Sequence, residues 1–425
     1  MTDLRETAIA LFEAAVARAN PAQALRAELQ ATPLPAPAAG GTTYILAIGK
    51  AAVPMMREAL DHIPEPRQAL VVTNPENICE IPGARVLAGS HPVPDQASAD
   101  AGRAVIELLS QTKAQDRVVA LISGGGSALL VAPAGDLTLA DKSAVNRALL
   151  ASGLEINDMN LIRQQLSDLK GGGLLRQAAP APVQTYILSD VIGDDLRAIA
   201  SGPTVSPLGT AAEASAILLR AGIWETLPET VKAHLAKNRT AATLPEATNH
   251  LIGSNGHSLA AMHQLAETLG WQARIVSDNL TGDVAAAAED ILSAAKGAPN
   301  DSKCALIFGG ETTVRLKGDG LGGRNQELAL RLAQRGAQDL SGNWLFLSGG
   351  TDGRDGPTDA AGGIVTPRTW NAIQQAGEDP QALLDNNDSY AALKAADALL
   401  MTGGTGTNVA DVQLFLRLPD QGQEE

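Results

Sequence analysis

Three carboxylates and four glycines share one short stretch of this 425-residue chain. An apolar run, Leu345 to Leu347, stops in Ser348-Gly-Gly-Thr-Asp-Gly-Arg-Asp-Gly-Pro-Thr-Asp359. Asp352, Asp355 and Asp359 supply oxygen ligands of the kind Mg²⁺ prefers, and Mg²⁺ usually travels with substrate phosphates. Gly349, Gly350, Gly353 and Gly356 allow a backbone to approach a ligand closely. The alternative is a turn with solvated acids. Similar loops recur along the chain, which favours the ligand-binding reading.

Ile122-Ser-Gly-Gly-Gly-Ser127 also follows an apolar run. Successive N–H groups of Gly124, Gly125 and Gly126 can form an anion-binding nest, and the hydroxyls of Ser123 and Ser127 add donors. Tight packing of a strand on a helix would need the same glycines. No Gly-Lys-Ser/Thr ending follows, so this is not a Walker A loop. Lys50, in Ile48-Gly-Lys, sits where a strand ends and can hold a phosphate as a point charge. Asp190, in Leu188-Ser-Asp, can bind metal or take a proton from a hydroxyl. Asp195 fits better as an acid capping a following short helix.

Arg324 and Asn325 open a helix after the glycine-rich segment Gly318-Asp-Gly-Leu-Gly-Gly323. An arginine there offers a fork of donors to phosphate or carboxylate. It could instead anchor the helix through a salt bridge. Glu311 is a metal or ligand contact, or the partner of Arg324. Glu327 has the spacing of a capping-box acid. His91, in the rigid turn His91-Pro-Val-Pro-Asp95, reads as structural.

The elements that must carry these loops alternate. Strands are expected at 44–48, 69–73, 84–88, 117–122 and 184–188, with helices at 51–60, 99–111, 142–151 and 156–169. Such alternation argues for a mostly parallel sheet covered by helices on both faces. A helix is expected over 3–30. A second series starts near His250, with a helix at 258–269 and strands at 273–276, 304–308 and 312–316. A helix at 326–334 and strands at 344–347 and 412–417 complete it. The expected domains are 1–245 and 246–425, since one core rarely serves a chain of this length.

Composition narrows the classes. Hydrophobic residues make up 45%, but aromatics only 3%, so the core is built from small and aliphatic side chains. The net charge of −15 argues against binding nucleic acid or an acidic membrane surface. No apolar run reaches the length of a transmembrane helix. Cys79 and Cys304 lack metal-site spacing and fit thiols in a reducing compartment. A cytoplasmic protein is expected, with a homodimer left open. The spacing Gly-x-Gly-x-x-Gly occurs only as Gly318-Asp-Gly-Leu-Gly-Gly323, in the second series, and not in the turn after the first strand where a dinucleotide fingerprint belongs; Gly-x-Ser-x-Gly does not occur.

Jointly, the segments resemble the class II glycerate 2-kinase family, which carries a MOFRL C-terminal domain. The matching text includes Ile48-Gly-Lys-Ala51, Ile122-Ser-Gly-Gly-Gly-Ser-Ala128, Lys170-Gly-Gly-Gly173 and Leu188-Ser-Asp-Val-Ile-Gly-Asp194. It continues with Ser201-Gly-Pro-Thr204, Gly322-Gly-Arg-Asn-Gln-Glu327, Ser348-Gly-Gly-Thr-Asp-Gly353 and Gly406-Thr-Asn408. The resemblance implies an α/β fold of two domains, an N-terminal Rossmann-like one and a smaller C-terminal one, with the active site in the cleft between them.

It implies transfer of the ATP γ-phosphoryl group to the 2-hydroxyl of D-glycerate, with Mg²⁺. The family's catalytic lysine and arginine fall on Lys50 and Arg324. On this reading Asp190 accepts the hydroxyl proton, the Ser123–Ser127 loop and Asn325 bind anionic groups, and Glu311, Asp352 and Asp355 help hold metal. Two positions depart from the pattern: Gly404 stands where a proline is expected, and Leu321 where a basic residue is common. Some members of the family carry the label hydroxypyruvate reductase, a hydride-transfer alternative that the missing fingerprint disfavours. A non-catalytic sugar-acid sensor is the third reading.

Overall fold

The computed structural model describes residues 4–237, 244–245 and 247–419. The chain forms two compact units. One comprises Ala24–Ile252; the other joins the segment up to Gln23 to the chain from Gly253 onward.

The first unit is built on a six-stranded sheet. Its strands are β1 (Thr43–Ile48), β2 (Arg67–Thr73), β3 (Arg85–Ala88), β4 (Arg117–Ile122), β5 (Val183–Leu188) and β6 (Ala247–Gly253). The order is β3-β2-β1-β4-β5-β6. β1 pairs in parallel with β2 and β4, β2 with β3, and β4 with β5. All six residues of β1 and of β5 are buried, as expected of strands covered on both faces. The chain leaves β1 toward β2 on one side, and β4 lies on the other. In open parallel sheets that reversal opens a crevice at the carboxyl edge where ligands bind. Ile48 pairs with Ile122, so the loops after β1 and β4 begin side by side.

The second unit carries β7 (Gln272–Asp283), β8 (Cys304–Thr313), β9 (Trp344–Gly350), β10 (Gly362–Val365), β11 (Leu399–Leu400) and β12 (Asp411–Arg417). The order is β11-β10-β9-β12-β8-β7. Only β7 and β8 run parallel; the pairs β8–β12, β12–β9, β9–β10 and β10–β11 are antiparallel. Side chains alternate between the faces, as strand geometry dictates. Leu345 and Leu347 join Leu11, Phe12, Leu259 and Met262 beneath helices Leu4–Arg18 and Asn255–Thr268. Trp344 and Phe346 face the other way, toward Ile291 and Leu332 on helices Val284–Lys296 and Arg324–Asp339.

Three expectations change. Residues 3–30 are not one helix: Pro21 lacks an N–H and starts a second helix, Pro21–Ala31, where the Asn20 side chain accepts from Gln23 N at 3.0 Å. In place of the expected strands 304–308 and 312–316 there is one strand, β8, which ends at Thr313 and leaves residues 314–316 outside it. The first helix also lies apart from the 1–245 grouping expected for it. Its stripe of Leu4, Ala8, Leu11, Phe12 and Ala15 is buried in the core of the second unit.

Candidate active site

The residues singled out for chemistry fall into two clusters, one per unit. In the first, Gly49 has φ +120°, and a Cβ there would overlap Ser123 Oγ. Only glycine lets the β1 and β4 loops close this tightly. Ser123 Oγ accepts from Ala51 N at 3.1 Å, and Lys50 N donates to Gly124 O at 2.9 Å. Ser123 is therefore spent on the backbone and stitches the two loops together.

The same cluster holds Asp190. A Cβ on Gly124 would overlap Asp190 Oδ2, so this carboxylate lies flat on the glycine loop. Withdrawal from water raises the Asp190 pKa, while the backbone N–H of Gly125 and the charge of Lys50 oppose the shift. A half-buried acid pushed up in this way is suited to take a proton. Lys50 is exposed, and among the described residues it makes no ion pair within 4.0 Å. A Cβ on Gly125 would stand 3.2 Å from Lys50 Cγ and 3.4 Å from His91 Cδ2, so those side chains border the loop. Burial and the nearby Lys50 hold His91 below the usual histidine range.

Steric demand accounts for much of the Gly124–Gly126 run. A Cβ on Gly126 would strike the Ala200 Cβ at 2.9 Å, as one on Gly124 would strike Asp190. Ser127 hydrogen-bonds Ser201 through their hydroxyls, and Lys170 Nζ donates to Ser127 O at 2.8 Å.

The second cluster surrounds Arg324, the first residue of helix Arg324–Asp339. Its Nε and Nη2 grip both oxygens of Asp411 at 2.6 and 3.0 Å, and its Nη1 meets Glu311 at 2.9 Å. Burial works against the arginine's charge, but the two acids outweigh it and raise its pKa. Asp411, 1% exposed, escaped sequence reasoning. The available signal was a carboxylate directly before the strand expected at 412–417, which is buried throughout.

Asp355 caps the same helix from a distant loop, accepting from Asn325 N at 3.2 Å and Gln326 N at 2.8 Å. That role falls to it because the N-cap residue is Gly323, which has no side chain to offer. Burial pushes Asp355 up to about 6. Asn325 is 1% exposed; its amide oxygen accepts from Ser348 Oγ at 2.6 Å, behind the helix start. Glu327 is not a capping-box acid: it holds Arg331 at 2.7 Å and Asn387 at 3.0 Å.

Glu311 is exposed, and half-buried Asp352 accepts from Arg354 N at 3.0 Å. Among the described residues no three His, Cys, Asp or Glu side chains group as a metal cage. Glu311, Asp352 and Asp355 are thus not brought together. Mg²⁺ in phosphoryl transfer commonly takes one or two carboxylates, the rest being water and phosphate, so single exposed acids fit that chemistry better than a cage.

Beside Arg324 lies a cavity of about 630 Å³, walled by Val314, Leu316, Pro357, Gly320, Gly322 and Gly323. Leu321 is 42% exposed, its N–H bound to Asp388. Gly404 is the other departure from the family pattern, and a Cβ there would meet nothing within 4 Å. A second cavity, of about 530 Å³, borders Thr43 at the amino end of β1. It lies away from the carboxyl edge, where such sheets do their chemistry.

These features define the class: an α/β protein of two units whose charged side chains gather on glycine-rich loops. Residues 7–236 match the domain of unknown function DUF4147, and residues 304–411 match the MOFRL family. A glycerate 2-kinase of Pyrococcus horikoshii is 38% identical over 396 residues, covering 90% of this chain and 89% of its own. A protein of Agrobacterium vitis named "Putative hydroxypyruvate reductase" is 40% identical over 423 residues, 96% of this chain and 93% of its own. The crystal structure of a Thermotoga maritima glycerate kinase superposes with a TM-score of 0.91 at 37% identity, covering 98% of this chain and 99% of that one. The chain belongs to the MOFRL-containing glycerate kinase family.

Proposed function

We propose that the protein transfers the γ-phosphoryl group of ATP to the 2-hydroxyl of D-glycerate, giving 2-phosphoglycerate and ADP. One observation carries the reading: an unpaired lysine, Lys50, stands beside a pKa-raised carboxylate, Asp190, at the carboxyl edge of a parallel sheet. Phosphoryl transfer needs positioning and neutralised charge more than covalent help from the protein. Lys50 supplies positive charge to the transferring group, and Arg324, in its own unit, offers a fork of donors to an anionic group. The 2-hydroxyl oxygen forms its bond to the γ-phosphorus as the bond to the ADP oxygen breaks. Asp190 takes the hydroxyl proton.

Mg²⁺ bound to the phosphates would add charge neutralisation, with Asp352 or Glu311 as its protein ligand. Asp355 and Asn325 act one step back, Asp355 capping the helix that carries Arg324 and Asn325 packing behind it.

The name of the Agrobacterium relative favours a second reading, NAD(P)H-dependent reduction of hydroxypyruvate. The strand order β3-β2-β1-β4-β5-β6 is that of dinucleotide-binding sheets. The turn after β1, however, is Ile48-Gly-Lys-Ala51, without the three glycines that a pyrophosphate requires. A paired assay separates the two. One arm follows ADP formed from ATP, Mg²⁺ and D-glycerate; the other follows NADH consumed with hydroxypyruvate. Turnover in the first arm supports the kinase, and turnover confined to the second overturns it.

A further inference from the structure

The first unit contains a group of cations that the proposed reaction does not use. Lys142 lies on helix Leu139–Ala151, Arg163 on helix Ile156–Gln165, and Lys170 just beyond it. Lys170 is 7% exposed, and the other two are half-buried. Among the described residues none of the three makes an ion pair within 4.0 Å. Their hydrogen bonds go to neutral oxygens instead. Lys142 Nζ donates to Leu166 O at 3.1 Å and Lys170 Nζ to Ser127 O at 2.8 Å. Arg163 reaches Asn146 Oδ1 at 2.7 Å and Asn160 Oδ1 at 3.3 Å.

The groups feel one another. Burial comes first and mutual repulsion second in pushing Lys142 down to about 8 and Lys170 well below the lysine range. Asp168 is the carboxylate that acts on Lys142, and it leaves an excess of positive charge. In a chain of net charge −15, acids to pair these cations are abundant elsewhere. Burial without a counter-charge disfavours the charged forms of these lysines, and an incoming anion would restore them. Next to the cluster, the backbone is held in an unusual shape. Ala200 and Ser201 both have positive φ, at 49° and 62°, and Ser201 O accepts from Gln164 Nε2 at 3.2 Å. Strain of this kind persists where the surroundings enforce it, commonly at ligand sites.

We propose that Lys142, Arg163 and Lys170 form a binding site for one small oxyanion, a carboxylate or a phosphate. Arg163 is held in place by Asn146 and Asn160, to whose amide oxygens its Nε, Nη1 and Nη2 donate, and its remaining N–H donors, with the two ammonium groups, suit an oxyanion with several acceptor oxygens better than a halide. Through the bond from Lys170 to Ser127 O, the bound anion would steady the loop that also carries Ser123 and Gly124. The proposal extends beyond the kinase reading and does not require it.

The test uses the full chain without nucleotide. Thermal unfolding is followed during separate titrations with inorganic phosphate and with D-glycerate, at ionic strength held constant with sodium chloride. The wild-type protein should gain about 5 °C or more at a hundredfold excess over Kd with at least one of the two. Which arm responds tells phosphate from carboxylate. Lys142→Met and Arg163→Gln should each weaken that response at least tenfold. Without oxyanion, Lys142→Met should melt no lower than wild type, since it removes an unpaired charge; a purely structural lysine would give a lower melting temperature.

No response in the wild-type protein to either ligand overturns the proposal, as does a wild-type response in both variants. The kinase assay is scored separately. Turnover without oxyanion stabilisation sinks only this inference, whereas stabilisation without turnover sinks only the kinase reading.

Discussion

Lys50 and Arg324 are both cations at the mouth of a secondary-structure element, but their surroundings are opposite. Lys50 is exposed and unpaired, beside the glycine loop Gly124–Gly126 on which Asp190 lies. Arg324 is gripped on both sides by Asp411 and Glu311 before any ligand arrives. Two costs are thus separated. A free lysine loses rotamer freedom when it meets an anion, but its removal leaves nothing stranded. A pre-held arginine is oriented in advance, but its removal strands a buried carboxylate. One site is built for response and the other for rigidity.

The sharpest way to break this contrast is Arg324→Ala. It should cost about 3 kcal/mol of unfolding free energy, because Asp411 is left buried and alone. It should also lower glycerate-kinase turnover at least tens-fold. A variant that unfolds in urea at the wild-type midpoint would show that the grip of Asp411 is not structural.

Asp355 offers a second test on the rigid side. Its folded pKa of about 6 lies above the ordinary 3.8, so the fold binds this proton more tightly than the unfolded chain does. Its contribution is then complete below about pH 4 and is lost as pH rises through 6, about 3 kcal/mol in all. Asp355→Asn should flatten the pH 4–7 dependence of urea unfolding by that amount. Parallel wild-type and variant profiles would remove the argument.

On the responsive side, Lys50→Ala should lower turnover at least tens-fold, about 2 kcal/mol on the barrier, with stability changed by less than about 0.5 kcal/mol. A large drop in melting temperature would place Lys50 with Arg324 after all. A glycine pair closes the series, and only its second member is the smallest effect. Gly124→Ala must displace Asp190 and should cost about 1–2 kcal/mol together with most of the activity. Gly404→Ala enters open space and should be silent in both readouts.

What sequence could reveal follows the same division. Strands β1, β4 and β5 were readable because burial on both faces makes them unbroken apolar runs, and their loops were readable because glycine marks sharp turns. Lys50, Asp190 and Arg324 stand at those punctuation points. The partners were not readable. Asp411 is 87 residues from Arg324, and Asp355 caps a helix 29 residues earlier in the chain. Those pairings exist only once antiparallel β12 and β9 have set their register. Helix Val284–Lys296 also went unforeseen, because its apolar stripe is built largely of alanine. Asn325 was readable as a conspicuous neighbour of Arg324, but not as a buried one.

The helix Leu4–Arg18 has a consequence for synthesis. It is made early, yet the surface it covers includes Leu345, Leu347, Val412 and Leu414, which are made more than 300 residues later. Residues 24–252 can meanwhile complete their own parallel sheet, because domains generally fold as units as they emerge. The helix must wait with Leu11 and Phe12 exposed until β9 and β12 are made. Slowed translation or a shortage of chaperones should therefore harm the C-terminal half first. A product lacking residues 1–20 should keep a protease-resistant core near 24–252 while the remainder aggregates.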